Sequence, residues 1–289
     1  MEESRQGDNG GIPFSSIMKV PAGPTFLERS RPFSKPFFRL GITLIGFVLW
    51  VALQGVLFDV FGFVKNGILN YGISGFLALV VIIPFWKLVP DTAGRFGRRN
   101  GSVAVASVFV LIVPFVVVAL MIGLEYVGIT SEWSIFAIAL FLLAAAEEVI
   151  CRGFMMDALS FRKSSLTGLL LSSVVFAMLH IGNSYASFAG IANIFLAGAL
   201  FGLMRLVTEG LFFPILLHWF WNLLTGMIFG WNVSGHELLP TVFRPLGNPP
   251  WGSFGPEESI LMTIGTMGAI ALLVKELYSP DEKDTSRYL

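Results

Sequence analysis

Charge is what this chain has least of. Only 13% of its 289 residues are Asp, Glu, Lys or Arg, against roughly 25% in an ordinary soluble domain. Hydrophobic residues make up 55% of the chain, and the mean hydropathy is +0.76. A water-soluble globular enzyme is excluded on these grounds, and an integral membrane protein becomes the default. A basic excess is also lacking. Lys and Arg together number 19, as do Asp and Glu, so no nucleic-acid partner is expected. A single cysteine, Cys151, excludes a disulfide framework within the chain and any CxxC metal or redox site. No internal repeat or low-complexity tract stands out.

What is present is a series of long apolar runs. Residues 1–40 hold five prolines, six basic residues and no useful apolar run, and read as a flexible cytoplasmic tail rather than a signal peptide. Beyond it, eight runs approach the ~20 residues a helix needs to cross the hydrocarbon. They are Gly41–Phe61, Ile68–Trp86, Val103–Val127, Trp133–Cys151, Leu166–Ile181, Phe188–Val207, Leu211–Trp231 and Ser259–Val274. Lipid offers no partners to an open sheet edge, so these are helices. The expected fold is all-α and polytopic, with a transmembrane domain over 41–277, its core at 131–231, and a second cytoplasmic tail at 278–289.

The basic residues set the orientation. With the N-terminus in the cytoplasm, 17 of the 19 Lys and Arg fall inside; Lys65 and Arg244 fall outside. The positive-inside rule therefore places both termini in the cytoplasm, and the plasma membrane is the expected location.

An ionisable side chain inside a span costs about 2.5–3.5 kcal/mol on insertion scales and asks for a reason. Asp59, Lys87, Glu125 and Lys275 sit near span ends and reach the interface. The set left in mid-membrane is Glu147, Glu148 and Arg152 on span four, His180 on span five, and His218 with Asn222 on span seven. Adjacent helical residues point about 100° apart, so Glu147 and Glu148 must do different things. Glu148 and Arg152 stand at i, i+4 and make an internal ion pair. Glu147 has Cys151 at its i+4 position, hence no partner on its own helix, and is free to face a cavity. Phe176 and His180 share a face, as do His218 and Asn222. Cys151 reads as a small packing residue, and His236 as a solvated bystander in an outside loop.

Glu and His within a membrane suggest proteolysis or proton movement. The zinc signature His-Glu-x-x-His fails at His236-Glu-Leu-Leu-Pro240, a loop with proline in the second His position. An aspartyl dyad has only Asp59 and Asp157 as loose candidates. Gly72-Ile-Ser74-Gly75 matches a rhomboid serine motif, but such text arises easily in glycine-rich spans and no glycine-rich histidine helix follows. A proton-coupled transporter is disfavoured by the lack of paired broken helices or repeat symmetry.

Three elements in order do form a pattern: Glu147-Glu148-Val-Ile-Cys-Arg152, Phe176-Ala-Met-Leu-His180 and His218-Trp-Phe-Trp-Asn222. Their order and spacing resemble the CPBP family of intramembrane proteases, which includes the type II CAAX prenyl endopeptidases and the Abi-type bacteriocin-immunity proteins. The resemblance covers roughly Ser131–Trp231 and implies a conical eight-helix fold. It further implies that Glu147 and His180 activate the attacking water and that His218 and Asn222 stabilise the oxyanion. Glu148, Arg152 and Phe176 would support them. The partners implied are the lipid bilayer and a peptide or protein substrate, with CAAX-type C-terminal processing as the family's activity. Such chemistry needs only a base on water and donors aimed at the developing charge. Glu147, His180 and His218 are also ligand types that zinc accepts; a metal-free site is favoured, with zinc the alternative. The alternative function, from another class, is a non-catalytic immunity or scaffold protein of the same fold.

Helix geometry adds one requirement. At 1.5 Å per residue, His180 lies about 22 Å from the start of its span near Ser165, whereas Glu147 would lie about 8 Å from the end of a helix that stopped at Arg152. The two meet only if span four continues through Asp157 to about Ser160.

Overall fold

The computed structural model describes residues 100–160, 165–238 and 240–278, together with Gly41, Phe76 and Val80. Apart from those isolated positions, the expected spans Gly41–Phe61 and Ile68–Trp86 lie outside the described residues, as do Asp59 and Ser74.

The described chain is built from apolar helices: α1 (Gly101–Ile122), α2 (Trp133–Ala158), α3 (Ser165–Leu179), α4 (Phe188–Thr208), α5 (Phe212–Ile228) and α6 (Ile260–Tyr278). Among the described residues, α1, α2, α4 and α6 are long and apolar enough to cross a membrane, and α3 and α5 are shorter apolar helices. The protein is an integral membrane protein.

Span four does run on past Arg152, ending at Ala158. The extension is not plain α-helix. Trp133–Glu148 is α-helical, Val149–Met155 is a π-helical stretch, and Met156–Ala158 closes the element with an α-turn. α5 has the same construction: α-helix over Phe212–Asn222, then π-helix over Leu223–Ile228. There the Thr225 hydroxyl donates to the Trp221 carbonyl at 2.7 Å and satisfies a group that the change of pitch exposes.

The expected span Val103–Val127 is too long at its far end. α1 stops at Ile122, where Gly123 takes φ 77°, and Leu124–Tyr126 (β1) pairs antiparallel with Phe243–Pro245 (β2). Glu125 stands opposite Arg244. A left-handed glycine ends the helix, and the polar Glu125 suits a strand outside the apolar layer better than another helical turn. Among the described residues the fold is thus helical with one small two-stranded ribbon.

Packing sorts the helices. α1 and α6 lie against each other and α4, and turn much apolar surface outward: Met121 is 79% exposed and Ile260 68%. Where α1 meets α6 the approach is close; a Cβ on Gly265 would sit 3.4 Å from Leu111. α4 lies at the centre, against α3, α5 and α6. Its small residues let α3 in: a Cβ on Gly198 would come within 3.1 Å of the Ser173 backbone, and one on Gly202 within 3.0 Å of Leu169. Between apolar helices in lipid, contact of this kind replaces the hydrophobic drive available in water. At one end of the bundle Asp157 and Arg205 join the last turns of α2 and α4 through two bonds of 2.9 Å. At the other end lie the ribbon and the connecting segments around 180–187 and 229–259.

Candidate active site

Glu147 and Glu148 sit at the end of the regular α portion of α2, just before its π stretch. Their environments differ as their 100° separation requires. Glu148 is fully buried; its Oε1 accepts from Arg152 Nη1 at 2.8 Å and from His218 Nδ1 at 3.0 Å. Glu147 is 25% exposed and points the other way, its Oε2 standing 3.8 Å from His218 Nε2. One histidine therefore stands between the two adjacent glutamates, Nδ1 on the buried one and Nε2 facing the free one.

Arg152, also fully buried, is held on both sides. Its guanidinium carbon lies 4.0 Å from the centre of the Phe176 ring and 5.1 Å from that of Phe201. A cation against aromatic faces gains electrostatic attraction that burial strengthens. Gly198 leaves the space: a Cβ there would come within 3.1 Å of Arg152 Nη2. Phe201 in turn stacks on the His218 ring at 5.2 Å and 16°. Glu148 thus holds His218 at Nδ1, Phe201 stacks on its ring and Phe176 meets it edge-on at 5.8 Å, with Arg152 fixing Glu148 and both phenylalanines.

His180 follows the last turn of α3. Its Nδ1 is 2.8 Å from the Phe176 carbonyl, and its ring packs on Phe176 at 4.9 Å. A carbonyl only accepts, so Nδ1 carries a proton, and in the neutral ring Nε2 is the nitrogen left to accept. By the same reasoning His218 donates from Nδ1 to the Glu148 carboxylate. Asn222 lies one turn beyond His218, at the end of the α portion of α5 and half-buried. Among the described residues its amide makes no hydrogen bond, so both of its N–H groups are available. The structure brings Glu147, Glu148, Arg152, Phe176 and His218 into one cluster, with His180 against Phe176 and Asn222 on the His218 helix.

Other expectations resolve plainly. Cys151 is a buried free thiol within the core. Asp157 is committed to Arg205. His236 is half-buried rather than solvated: Val233 and His236 bridge through their backbones, and burial lowers its pKa. Among the described residues no three His, Cys, Asp or Glu side chains are grouped to hold a metal ion.

Two kinds of residue escaped the sequence reading. Phe201 is one of 28 phenylalanines, and nothing in its spacing marks it. Asn193, a buried amide in mid-α4, did carry a signal as a polar group within an apolar run. It donates to the carbonyls of Glu257 (2.8 Å) and Ser259 (3.1 Å) and accepts from the Thr263 hydroxyl (2.8 Å).

Residues 129–224 match the Rce1-like family, described as type II CAAX prenyl endopeptidase Rce1-like. This segment is similar to the CPBP/CAAX proteases. The match spans about a third of the chain and takes in α2, α3, α4 and the α portion of α5, so every member of the cluster lies inside it. That family is one of CAAX-type intramembrane proteases. No curated protein and no solved structure matches the chain.

Proposed function

We propose that the protein is an intramembrane endopeptidase that hydrolyses a peptide bond with water activated by Glu147 and His180, in CAAX-type C-terminal processing. The observation that carries this reading is the placement of His218 between a buried Glu148 and a free Glu147, inside the segment that matches the protease family.

The chemistry follows from the proton positions. Glu147, which has no hydrogen-bond partner at Oε2, takes one proton from water, while the lone pair of His180 Nε2 accepts a hydrogen bond from the other water O–H and orients it. The hydroxide oxygen bonds to the scissile carbonyl carbon, and negative charge moves to the carbonyl oxygen. Asn222 donates an N–H to that oxygen. His218 donates from Nε2 as an imidazolium, which the Glu148 carboxylate at 3.0 Å stabilises from the opposite side of the ring. The proton taken from water then passes to the amide nitrogen, and the C–N bond breaks. No covalent enzyme intermediate is needed, in keeping with a buried Cys151. The excess of basic residues on one side orients both termini to the cytoplasm, and the plasma membrane is the location that orientation suits.

The test is cleavage of a prenylated CAAX peptide by purified protein in liposomes, with and without chelator. Product from the wild type that disappears in Glu147→Gln supports the reading. Activity lost to chelator overturns its metal-free form. A folded wild type that never cleaves returns the protein to the scaffold alternative. Cysteine-accessibility scanning that places Val233–Gly255 in the cytoplasm would reverse the orientation.

A further inference from the structure

The segment leading into α6 holds a buried carboxyl that the mechanism does not use. Glu257 is 1% exposed, in a short 3₁₀ turn at Pro256–Glu258. Its Oε1 accepts from Trp221 Nε1 at 3.0 Å, its backbone carbonyl accepts from Asn193 at 2.8 Å, and its Oε2 is buried without a hydrogen-bond partner. Trp221 directly precedes Asn222 and follows His218 by three positions. Its ring also sits edge-on to Phe115 of α1 at 4.9 Å. Trp221 is therefore clamped between α1 and Glu257 at the point where α5 turns from α to π geometry. Displacement of the indole carries the Asn222 backbone with it.

We propose that Glu257, through its hydrogen bond to Trp221, is a positioning residue for the α5 face that presents His218 and Asn222. This rests on the proteolytic reading above for its effect on turnover, though not for its effect on structure. A carboxyl this buried is well served as the neutral acid, because the donors around it do not offset the desolvation of the anion. Burial pushes the Glu257 carboxyl up to about 7, against the opposing influence of Trp221 Nε1–H and of the Glu257 and Ser234 backbone N–H groups. The charge beside it is Glu258 on its own turn, which raises it further. α4 contributes the neutral Asn193, α6 the neutral Thr263, which reaches the carboxyl's turn through Asn193, and the adjoining loop Ser234, with His236 two residues on. Ionisation above neutrality would draw water toward Oε2 and loosen the clamp.

The experiment combines peptide turnover with backbone hydrogen exchange over Trp221–Thr225, in wild type, Glu257→Leu, Glu257→Gln and Trp221→Phe. Glu257→Leu and Trp221→Phe should each lower kcat about tenfold with KM unchanged, the scale of one lost hydrogen bond. Exchange over Trp221–Thr225 should speed up alongside. Glu257→Gln retains an acceptor for the indole and should recover the loss. It should also lessen the fall in kcat expected of the wild type between pH 6 and 8. Wild-type exchange and kcat in Glu257→Leu would overturn the proposal, as would a Glu257→Gln pH profile superimposable on the wild type's. If Glu147→Gln turns over normally, the proteolytic reading fails by itself. Faster exchange in Glu257→Leu would then still support the clamp, and unchanged exchange would overturn it.

Discussion

α1 and α4 are both long apolar helices, yet they do opposite work. In its most apolar stretch α1 buries 28% of its residues and α4 buries 72%. α1 shows the outside Phe109, Leu120 and Met121, and the polar side chain it does bury, Ser107, bonds back to its own Val103 carbonyl at 2.9 Å. α4 buries Asn193, Arg205 and Thr208 and lends Phe201 and Gly198 to the cluster on α2. Apolarity decides that a helix enters the bilayer; polar and small residues decide which helices form the interior. The functional groups follow the second criterion.

The sharpest way to test this contrast is at Glu147. Glu147→Gln should lower peptide turnover by about 10²–10⁴-fold, the usual range for a lost general base. Thermal unfolding should scarcely move, because Glu147 has no ion-pair partner on its own helix. His180→Ala should fall about as far, and the double variant little further, since both act on one water. Glu148→Gln should instead report on stability. It leaves Arg152 buried without its carboxylate, at a cost of about 3–5 kcal/mol, read from unfolding in detergent. A Glu148→Gln variant that is inactive but fully stable would move Glu148 from support to chemistry. Asn222→Ala should cost about 10²–10³-fold, mainly in kcat, with the fold intact, because its donors act on charge that develops in the transition state.

Smaller effects are expected away from the cluster. Because the folded state raises the Glu257 carboxyl to about 7, its neutral form favours folding. That contribution is complete below the ordinary carboxylate pKa and is lost as pH rises through about 7, so the wild-type Tm should fall from pH 6 to 8. Glu257→Gln should flatten that slope. At the rim, Leu120→Ala and Met121→Ala should each change stability by no more than about 0.5 kcal/mol, as for surface sites elsewhere. A large loss there would mean that this face of α1 is covered by protein rather than lipid.

Much of this was legible from residues alone. Apolar helices where spans four to seven were expected, the Glu148–Arg152 pair and the need for a longer α2 all follow from hydropathy, the i, i+4 rule and the rise per residue. The partition between Glu147 and Glu148 follows from the helical angle. The bond between His218 and Glu148 was not legible, because spacing on one helix says nothing about which face a distant helix presents. Phe201 was hidden for the same reason. The end of α1 was misread because Leu124–Val127 is apolar enough to pass as helix, and only the pairing with Phe243–Pro245 makes it a strand. Glu257 carries no local pattern at all; its burial is a tertiary event, produced by Asn193 and Trp221.

The π stretch in α2 has a consequence for how the chain can change. A π turn is an α-helix that holds a surplus residue. It sets the angular phase between Glu148, which must meet His218, and Asp157, which must meet Arg205 at the far end of the same helix. Straightening Val149–Met155 to α pitch while keeping every residue would rotate Asp157 by about 100° relative to Glu148. One of the two contacts would then be lost whichever way the helix settled. Between these two carboxylates the helix is fixed in pitch as well as in kind: the surplus residue is harmless only while the π geometry absorbs it.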